Sequence, residues 1–327
     1  MTDQPVLDVR GLVVRRDDLV AVRGVDIQVR AGQRVGLVGE SGAGKSLTAL
    51  AVMGLLQLGW TTEGQVLHDG VDLTRISDRA FSSRRGRTLS MIFQDPLSAL
   101  NPTQRVGAQI TGVVRRHTEA SRDDARAQAL ELFTQMHLPR PEQMLRAYPH
   151  ELSGGQRQRV MIAMAMACYP QLIIADEPTT ALDVTVQKQV LRLLDAAVQD
   201  RGSALLLITH DLSVIAAMCD HVLVMYGGRV VEEGPVREVL RSPRHPYTKG
   251  LLESQPTLDN IELEGTARLP SIRGNVPSLH DMPTGCAFRT RCDRATAQCE
   301  VVPVLEGDAS RAACWHPEPA LSQAGRS

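Results

Sequence analysis

Residues 39–46 read Gly-Glu-Ser-Gly-Ala-Gly-Lys-Ser, a complete phosphate-binding loop, and few stretches of this length limit a fold so tightly. Such a loop must turn its backbone N–H groups inward around phosphate oxygens, and glycine permits that turn without a Cβ clash. Before it, Arg34 to Gly39 is a short, mostly apolar run fit for a buried strand. After it, Ser46 to Leu56 reads as one helix, apolar at Leu47, Leu50, Ala51 and Leu55, with Gly54 its one weak helix former. The helix N-terminus adds partial positive charge where phosphate would sit. Lys45 is placed to reach the β- and γ-phosphates, and Ser46 to ligate magnesium. A strand, this loop and a helix in succession imply a nucleotide-binding α/β core.

The rest of the chain alternates in the same way. Leu7 to Val14 and Val20 to Val29 read as β segments forming a small antiparallel sheet over the nucleotide base. Residues 59–75 are turn-rich and strand-like, and Met91-Ile92-Phe93 is a short strand ending at Gln94. From 97 to 155 the pattern becomes helical, most clearly over Ala125 to Met136, and predicts a helical insertion. After Gly155, helices at Gln156–Cys168, Val184–Gln199 and Leu212–Met218 alternate with buried strands at Leu172–Ala175 and Leu205–Thr209. That alternation implies parallel βαβ packing. His221–Met225 and Arg229–Glu232 flank Gly227-Gly228, a hairpin signal.

Composition narrows the partners. Lysine and arginine number 36 against 37 aspartate and glutamate, so no net charge points to nucleic acid. The longest apolar run, Met161 to Cys168, falls far short of the roughly 20 residues that span a bilayer. Met-Thr-Asp-Gln-Pro lacks the layout of a signal peptide. The expectation is a soluble intracellular chain whose membrane role, if any, comes through a partner. Six cysteines in such a chain argue for free thiols or metal ligands over disulfides.

Leu172-Ile173-Ile174-Ala175-Asp176-Glu177 is an apolar strand ending in two carboxylates. Ligands gather at the C-terminal ends of parallel strands, so Asp176 is expected near magnesium and Glu177 beside the attacking water as its general base. Gln94 and His210 each follow a strand and fall at the same edge. An amide at Gln94 can touch magnesium and water, and the His210 imidazole can hydrogen-bond the γ-phosphate. Leu152-Ser153-Gly154-Gly155-Gln156 opens a helix, a second anion-seeking N-terminus.

Gly39–Ser46, Gln94, Leu152–Gln156, Leu172–Glu177, Leu182-Asp183 and His210 stand in the order and spacing of an ABC-transporter nucleotide-binding subunit, which the chain resembles over about residues 6–245. The resemblance implies a P-loop ABC ATPase core with an antiparallel β subdomain and a helical insertion. It implies that Gly39, Glu40, Ser41, Gly42, Ala43, Gly44, Lys45, Ser46 and Leu47 hold ATP. Magnesium is expected on Ser46, Gln94 and Asp176, and catalysis on Glu177, His210, Gln94 and Lys45. Subunits of this family pair head to tail, so Ser153, Gly154, Gly155, Gln156 and Asp183 are expected to close over ATP held by a second, homologous ATPase subunit, in a heterodimer. Two transmembrane permease subunits at the cytoplasmic face of the membrane, and indirectly an extracytoplasmic solute-binding protein, complete the implied assembly.

Phe93 to Pro102, Asp176 to Thr185 and the His245-Pro246-Tyr247-Thr248 opening of the tail resemble the ATPase subunits of oligopeptide, dipeptide and nickel importers. Peptides are the expected cargo, with nickel or another small solute as the alternative and a soluble enzyme complex as the more distant one. The cysteines at 286, 292, 299 and 314 also resemble that subgroup, some members of which hold a 4Fe–4S cluster there. Zinc and ordinary buried thiols remain open, although the short Cys-x2–4-Cys knuckle of structural zinc is missing. Residues 246–327 are therefore expected to form a small extension beyond an ATPase domain at 1–245. The proline-bearing stretch 254–285 looks too poor in apolar residues to pack well alone, and the end from Pro317 looks small and polar. One position departs from the family. No Phe, Tyr or Trp precedes Trp60, and Arg16 (or Arg15) falls where an aromatic usually stacks on adenine. A guanidinium plane can stack on a base as well.

Overall fold

A computed structural model of the chain describes residues 4–180, 182–254 and 271–319. Half of the proline-bearing stretch, 255–270, and the polar end from 320 lie outside the described residues. The chain begins with β1 (Leu7–Arg16), β2 (Leu19–Val29), β3 (Arg34–Val38), α1 (Lys45–Val52), β4 (Thr61–His68) and β5 (Val71–Asp72). Then come α2 (Asp78–Arg84) and β6 (Leu89–Ile92). A helical stretch follows: α3 (Pro96–Ala99), α4 (Val106–His117), α5 (Arg122–Gln135), α6 (Pro141–Met144) and α7 (Gly154–Met166). Alternation resumes with β7 (Leu172–Asp176), α8 (Val184–Arg201), β8 (Ala204–Thr209), α9 (Leu212–Met218), β9 (His221–Tyr226) and β10 (Arg229–Pro235). The described chain ends with α10 (Val236–Arg241), α11 (Pro246–Glu253) and β11 (Arg311–Ala312).

Among the described residues the strands form two sheets, in the orders β2-β1-β4-β5 and β11-β10-β9-β3-β8-β7-β6. The first is antiparallel throughout. In the second, β6, β7, β8, β3 and β9 run parallel, while β10 and β11 run antiparallel. The parallel strands are apolar on both faces because both faces are covered. Ile173, Ala175, Leu205 and Leu207 point into a core shared with α4, α5 and α7. Leu172, Ile174, Leu206 and Ile208 alternate with them and point into a second core, shared with α1 and the antiparallel sheet. The helical stretch therefore packs one face of the sheet, contributing Ile110, Val114 and Phe133, rather than standing apart from it.

One expectation needs correction. α1 stops at Val52, not Leu56. Gly54 has φ +60, the Gly54 N–H reaches the Ala51 carbonyl at 3.0 Å, and the Leu55 N–H reaches the Leu50 carbonyl at 2.8 Å. This is a Schellman ending, and the glycine read as a weak helix former is its left-handed terminator. Arg85 secures it, donating from Nε to the Met53 carbonyl at 2.8 Å and from Nη2 to the Gly54 carbonyl at 2.9 Å.

The segment after α11 packs against the core. β11 lengthens the large sheet, pairing Ala312 with Glu232 and Arg311 with Glu233. The Arg311 guanidinium also pairs with the Glu233 carboxylate. Phe288 is buried edge-on against Tyr226, with ring centroids 5.2 Å apart, and lies 5.4 Å from Tyr247. A few well-placed aromatics thus attach a segment of low apolar content. Phe288→Ala should cost about 3–5 kcal/mol of unfolding free energy. It should also expose the extension to limited proteolysis ahead of the core. An unchanged urea midpoint with an unchanged cleavage pattern would reject this account.

Candidate functional site

The C-terminal ends of β3, β6, β7 and β8 deliver the site. β3 runs into Gly39, where a Cβ would strike the Met225 carbonyl oxygen of β9, so only glycine lets the two strands sit this close. Gly42 and Gly44 have φ +81 and +100, which turns the loop before α1 begins at Lys45. Lys45 is 5% exposed. Its ammonium donates to the carbonyl oxygens of Gly39 at 2.7 Å and Glu40 at 3.0 Å. Burial pushes its pKa down, against the carboxylates of Glu177, Asp176 and Glu40, which push it up. Ser46 Oγ donates to Asp176 Oδ1 at 3.0 Å. Asp176 is itself buried, and burial raises its pKa, with the Ser46 hydrogen bond opposing and the Glu177 charge adding. Leu47 packs partly buried against the core under the antiparallel sheet.

Glu177 takes φ +44, a left-handed conformation unusual for a side chain of this size. Its N–H bonds the Ile208 carbonyl at 2.8 Å, and its carboxylate is held through one oxygen. Oε2 accepts from Gln94 Nε2 at 3.2 Å and from Thr180 Oγ1 at 2.8 Å. Oε1 lies 3.5 Å from His210 Nδ1. The turn after β7 thus aims the carboxylate back across the sheet edge, where Gln94 and His210 meet it. Lys45, Ser46, Gln94, Asp176, Glu177 and His210 come together as the sequence predicts. Thr180 is an addition. Only its position three residues after Glu177 marked it, too faint a signal to read.

The Leu152–Gln156 segment is built as a helix start. Ser153 caps α7: its Oγ accepts from the Gln156 N–H at 3.3 Å, and the Gln156 side chain accepts from the Ser153 N–H at 2.9 Å. A Cβ at Gly155 would crowd Val186 Cγ1 at 2.7 Å, so this glycine lets α7 approach α8. Asp183 caps α8, accepting from the N–H groups of Thr185 at 3.1 Å and Val186 at 3.0 Å. Ser153, Gln156 and Asp183 are thereby fixed as neighbours on two abutting helix starts. Arg16 ends β1 on the surface, within 3.5 Å of where a Cβ on Gly59 would stand. Arg15 is committed to Glu63 at 3.3 Å.

The six cysteines are free thiols. Cys286, Cys292, Cys299 and Cys314 line one small cavity of about 10 Å³. Arg289 and Arg294 line it too, with no carboxylate. Burial and the neighbouring thiols raise the pKa of Cys286, and those of Cys314 are pushed up to about 11 by the same causes. Among the described residues no group of three or more His, Cys, Asp or Glu is drawn together as a site for a single metal ion.

A family model described as ABC transporter matches residues 22–180, and one described as oligopeptide/dipeptide transporter, C-terminal region, matches residues 231–299. A probable D,D-dipeptide transport ATP-binding protein of Escherichia coli is 49% identical over 326 residues, covering 96% of this chain and 98% of that protein. An oligopeptide transport ATP-binding protein of Salmonella typhimurium is 45% identical, covering 88% of this chain and 85% of that one. Among solved structures, a dimeric bacterial ABC transporter cassette superposes with a TM-score of 0.64 at 26% identity, over 71% of this chain and 99% of that chain. The same cassette in a post-hydrolysis state bound to ADP and Pi gives 0.63. The chain is an ATPase and belongs to the ABC-transporter ATP-binding proteins that carry the oligopeptide/dipeptide transporter type of C-terminal region.

Proposed function

We propose that this chain hydrolyses ATP to drive the import of di- or oligopeptides. The observation that carries the proposal is the union, in one chain, of a complete ATP site with the C-terminal region of peptide transporters. The loop from Gly39 to Leu47 receives the phosphates. Lys45 exchanges its two carbonyl partners for phosphate oxygens. Ser46, Gln94 and Asp176 would hold magnesium, which supplies charge neutralisation on the phosphates when bound. A water oxygen attacks the γ-phosphorus as the bond to the β-phosphate bridging oxygen breaks, and its proton passes to Glu177. Gln94 and Thr180 hold one Glu177 oxygen, leaving the other to orient water beside His210.

One chain carries one phosphate loop and one Ser153–Gln156 segment, so a composite site needs a second subunit. We assign that place to a homologous ATPase, with Ser153, Gly154, Gly155, Gln156 and Asp183 facing the partner's ATP. Two permease subunits at the cytoplasmic face of the membrane would convert closure of the pair into transport, and a solute-binding protein would deliver the peptide. The assembly should therefore copurify with permease subunits and accumulate a labelled dipeptide in vesicles supplied with ATP. In it, Glu177→Gln should lose hydrolysis by about 10²-fold or more while keeping ATP bound, as removal of a general base does. Lys45→Ala should weaken ATP binding itself. Recovery without membrane subunits, uptake of nickel alone, or normal turnover by Glu177→Gln would each sink the corresponding part.

Arg16 is our choice for the adenine contact, since Arg15 is already paired. Arg16→Ala should weaken ATP binding by about 0.5–2 kcal/mol, and Arg16→Tyr should restore it. Equal ATP and GTP affinities in Arg16→Ala and wild type would place the contact elsewhere.

The four-thiol cavity suits a 4Fe–4S cluster in its donors: four soft sulfurs, two nearby guanidinium groups and no carboxylate. Its free space admits no more than about one water. Cys286, Cys292, Cys299 and Cys314 would have to part to hold a cluster, and we assign it a structural role, tying the extension together. Anaerobically purified protein should be brown with about four irons per chain. Cys292→Ser should lose the iron and keep ATP binding. Colourless protein holding zinc or no metal would leave zinc ligands or plain thiols.

A further inference from the structure

Glu40, the second residue of the phosphate loop, is gripped from outside the ATPase core. Arg291 of the extension meets its carboxylate with both ends of the guanidinium fork, Nη1 to Oε2 at 2.6 Å and Nη2 to Oε1 at 3.2 Å. The remaining donors of Arg291 are also used. Nε donates to the Arg273 carbonyl at 2.7 Å, Nη1 to Tyr226 Oη at 3.3 Å and Nη2 to the Gly274 carbonyl at 3.1 Å. All five N–H groups have partners, and the side chain is 5% exposed. A buried, fully satisfied, bidentate arginine holds one geometry, unlike a surface ion pair.

Glu40 is fixed at two further points. Its N–H donates to Tyr247 Oη at 2.8 Å, and its carbonyl accepts from the Lys45 ammonium at 3.0 Å. Tyr247 is fully buried against Tyr226, and Phe288 packs on both rings. Two of the side chains that hold Glu40, Tyr247 and Arg291, thus come from residues after 245. The charge arithmetic also matters. An unpaired carboxylate at this place in the loop would repel an incoming polyphosphate, and Arg291 neutralises it.

We propose that Arg291 is a positioning residue for the ATP site: through Glu40 it fixes the entrance of the phosphate loop, so that the C-terminal extension sets the affinity for ATP. This rests on the reading of Gly39–Ser46 as the phosphate-binding loop. A role limited to anchoring the extension would require only some partner for Arg291. The partner here is a loop residue whose N–H, carbonyl and carboxylate are all engaged.

The test is a double-mutant cycle on the full chain, reading the Kd of a fluorescent ATP analogue together with the thermal midpoint. Arg291→Met should raise Kd about tenfold or more, by leaving the Glu40 carboxylate facing the phosphates. Glu40→Gln should raise it by no more than about threefold, because the repulsive charge leaves with the restraint. In the double variant Kd should return close to that of Glu40→Gln, a non-additive rescue that a purely structural role would not give. Arg291→Lys, which keeps the charge but not the fork, should fall between, and it carries the test if Arg291→Met does not fold. Lys45→Ala is the control. Wild-type Kd in Arg291→Lys and Arg291→Met beside lost binding in Lys45→Ala, or strict additivity in the cycle, would overturn the proposal. Normal binding by Lys45→Ala would overturn the reading of the loop and this proposal with it.

Discussion

Everything at the nucleotide edge is arranged around one buried ammonium. Lys45 has left bulk water at the head of α1, and a buried cation is tolerated only where hydrogen bonds and opposite charge compensate it. Two carbonyl oxygens of its own loop supply the hydrogen bonds, and Glu177, Asp176 and Glu40 supply the charge. Those three carboxylates come from different parts of the chain: one from the loop and two from the end of β7. The sheet must deliver β3 and β7 in register, with β8 between them, for the arrangement to exist. The alternating burial of Leu205 to Ile208 into two cores fixes that register, since a slip of one residue would exchange the two faces.

This dependence explains what could be read from the sequence. The phosphate loop is local: its glycines, lysine and serine act within a few residues of one another, so its spacing carries its geometry. Strand ends were legible because apolar runs stop where strands leave the sheet, which placed Gln94, Asp176, Glu177 and His210 at one edge. The end of α1 was misjudged for the opposite reason. The periodicity of Leu50 and Leu55 continues past Val52, but Gly54 turns left-handed and Arg85, from after α2, caps the exposed carbonyls. No pattern in residues 46–56 encodes that contact.

The extension was the least legible part, and the reason is sequence distance. The Glu40–Arg291 pair joins residues 251 positions apart. Neither residue belongs to an apolar period, and each alone reads as an ordinary surface charge. Its low apolar content fits a segment that depends on the core for its packing. Phe288 needs only the faces of Tyr226 and Tyr247 to be buried, and β11 borrows the edge of β10 instead of forming a sheet of its own. Arg291 is followed directly by Cys292, so the thiol cavity and the grip on the phosphate loop are parts of one short segment.

The protonation energetics of the site favour ligand over solitude. Asp176 has its pKa raised, chiefly by burial, so an ionised carboxylate costs more in the folded chain than in the unfolded chain, where water solvates it. Stability from this group is fully present below its unfolded pKa and is lost as pH rises from there through the raised folded pKa. Lys45 has its pKa lowered, again chiefly by burial, so the unfolded chain binds this proton more tightly. In their charged forms both groups oppose folding. Phosphate oxygens can compensate a buried ammonium, and a cation a buried carboxylate. The left-handed Glu177 is held by the same surroundings, through Gln94, Thr180 and the Ile208 carbonyl. Burial works against Lys45 and Asp176 and backbone conformation works against Glu177, while the Glu40 carboxylate joins the same loop to Arg291 and the extension.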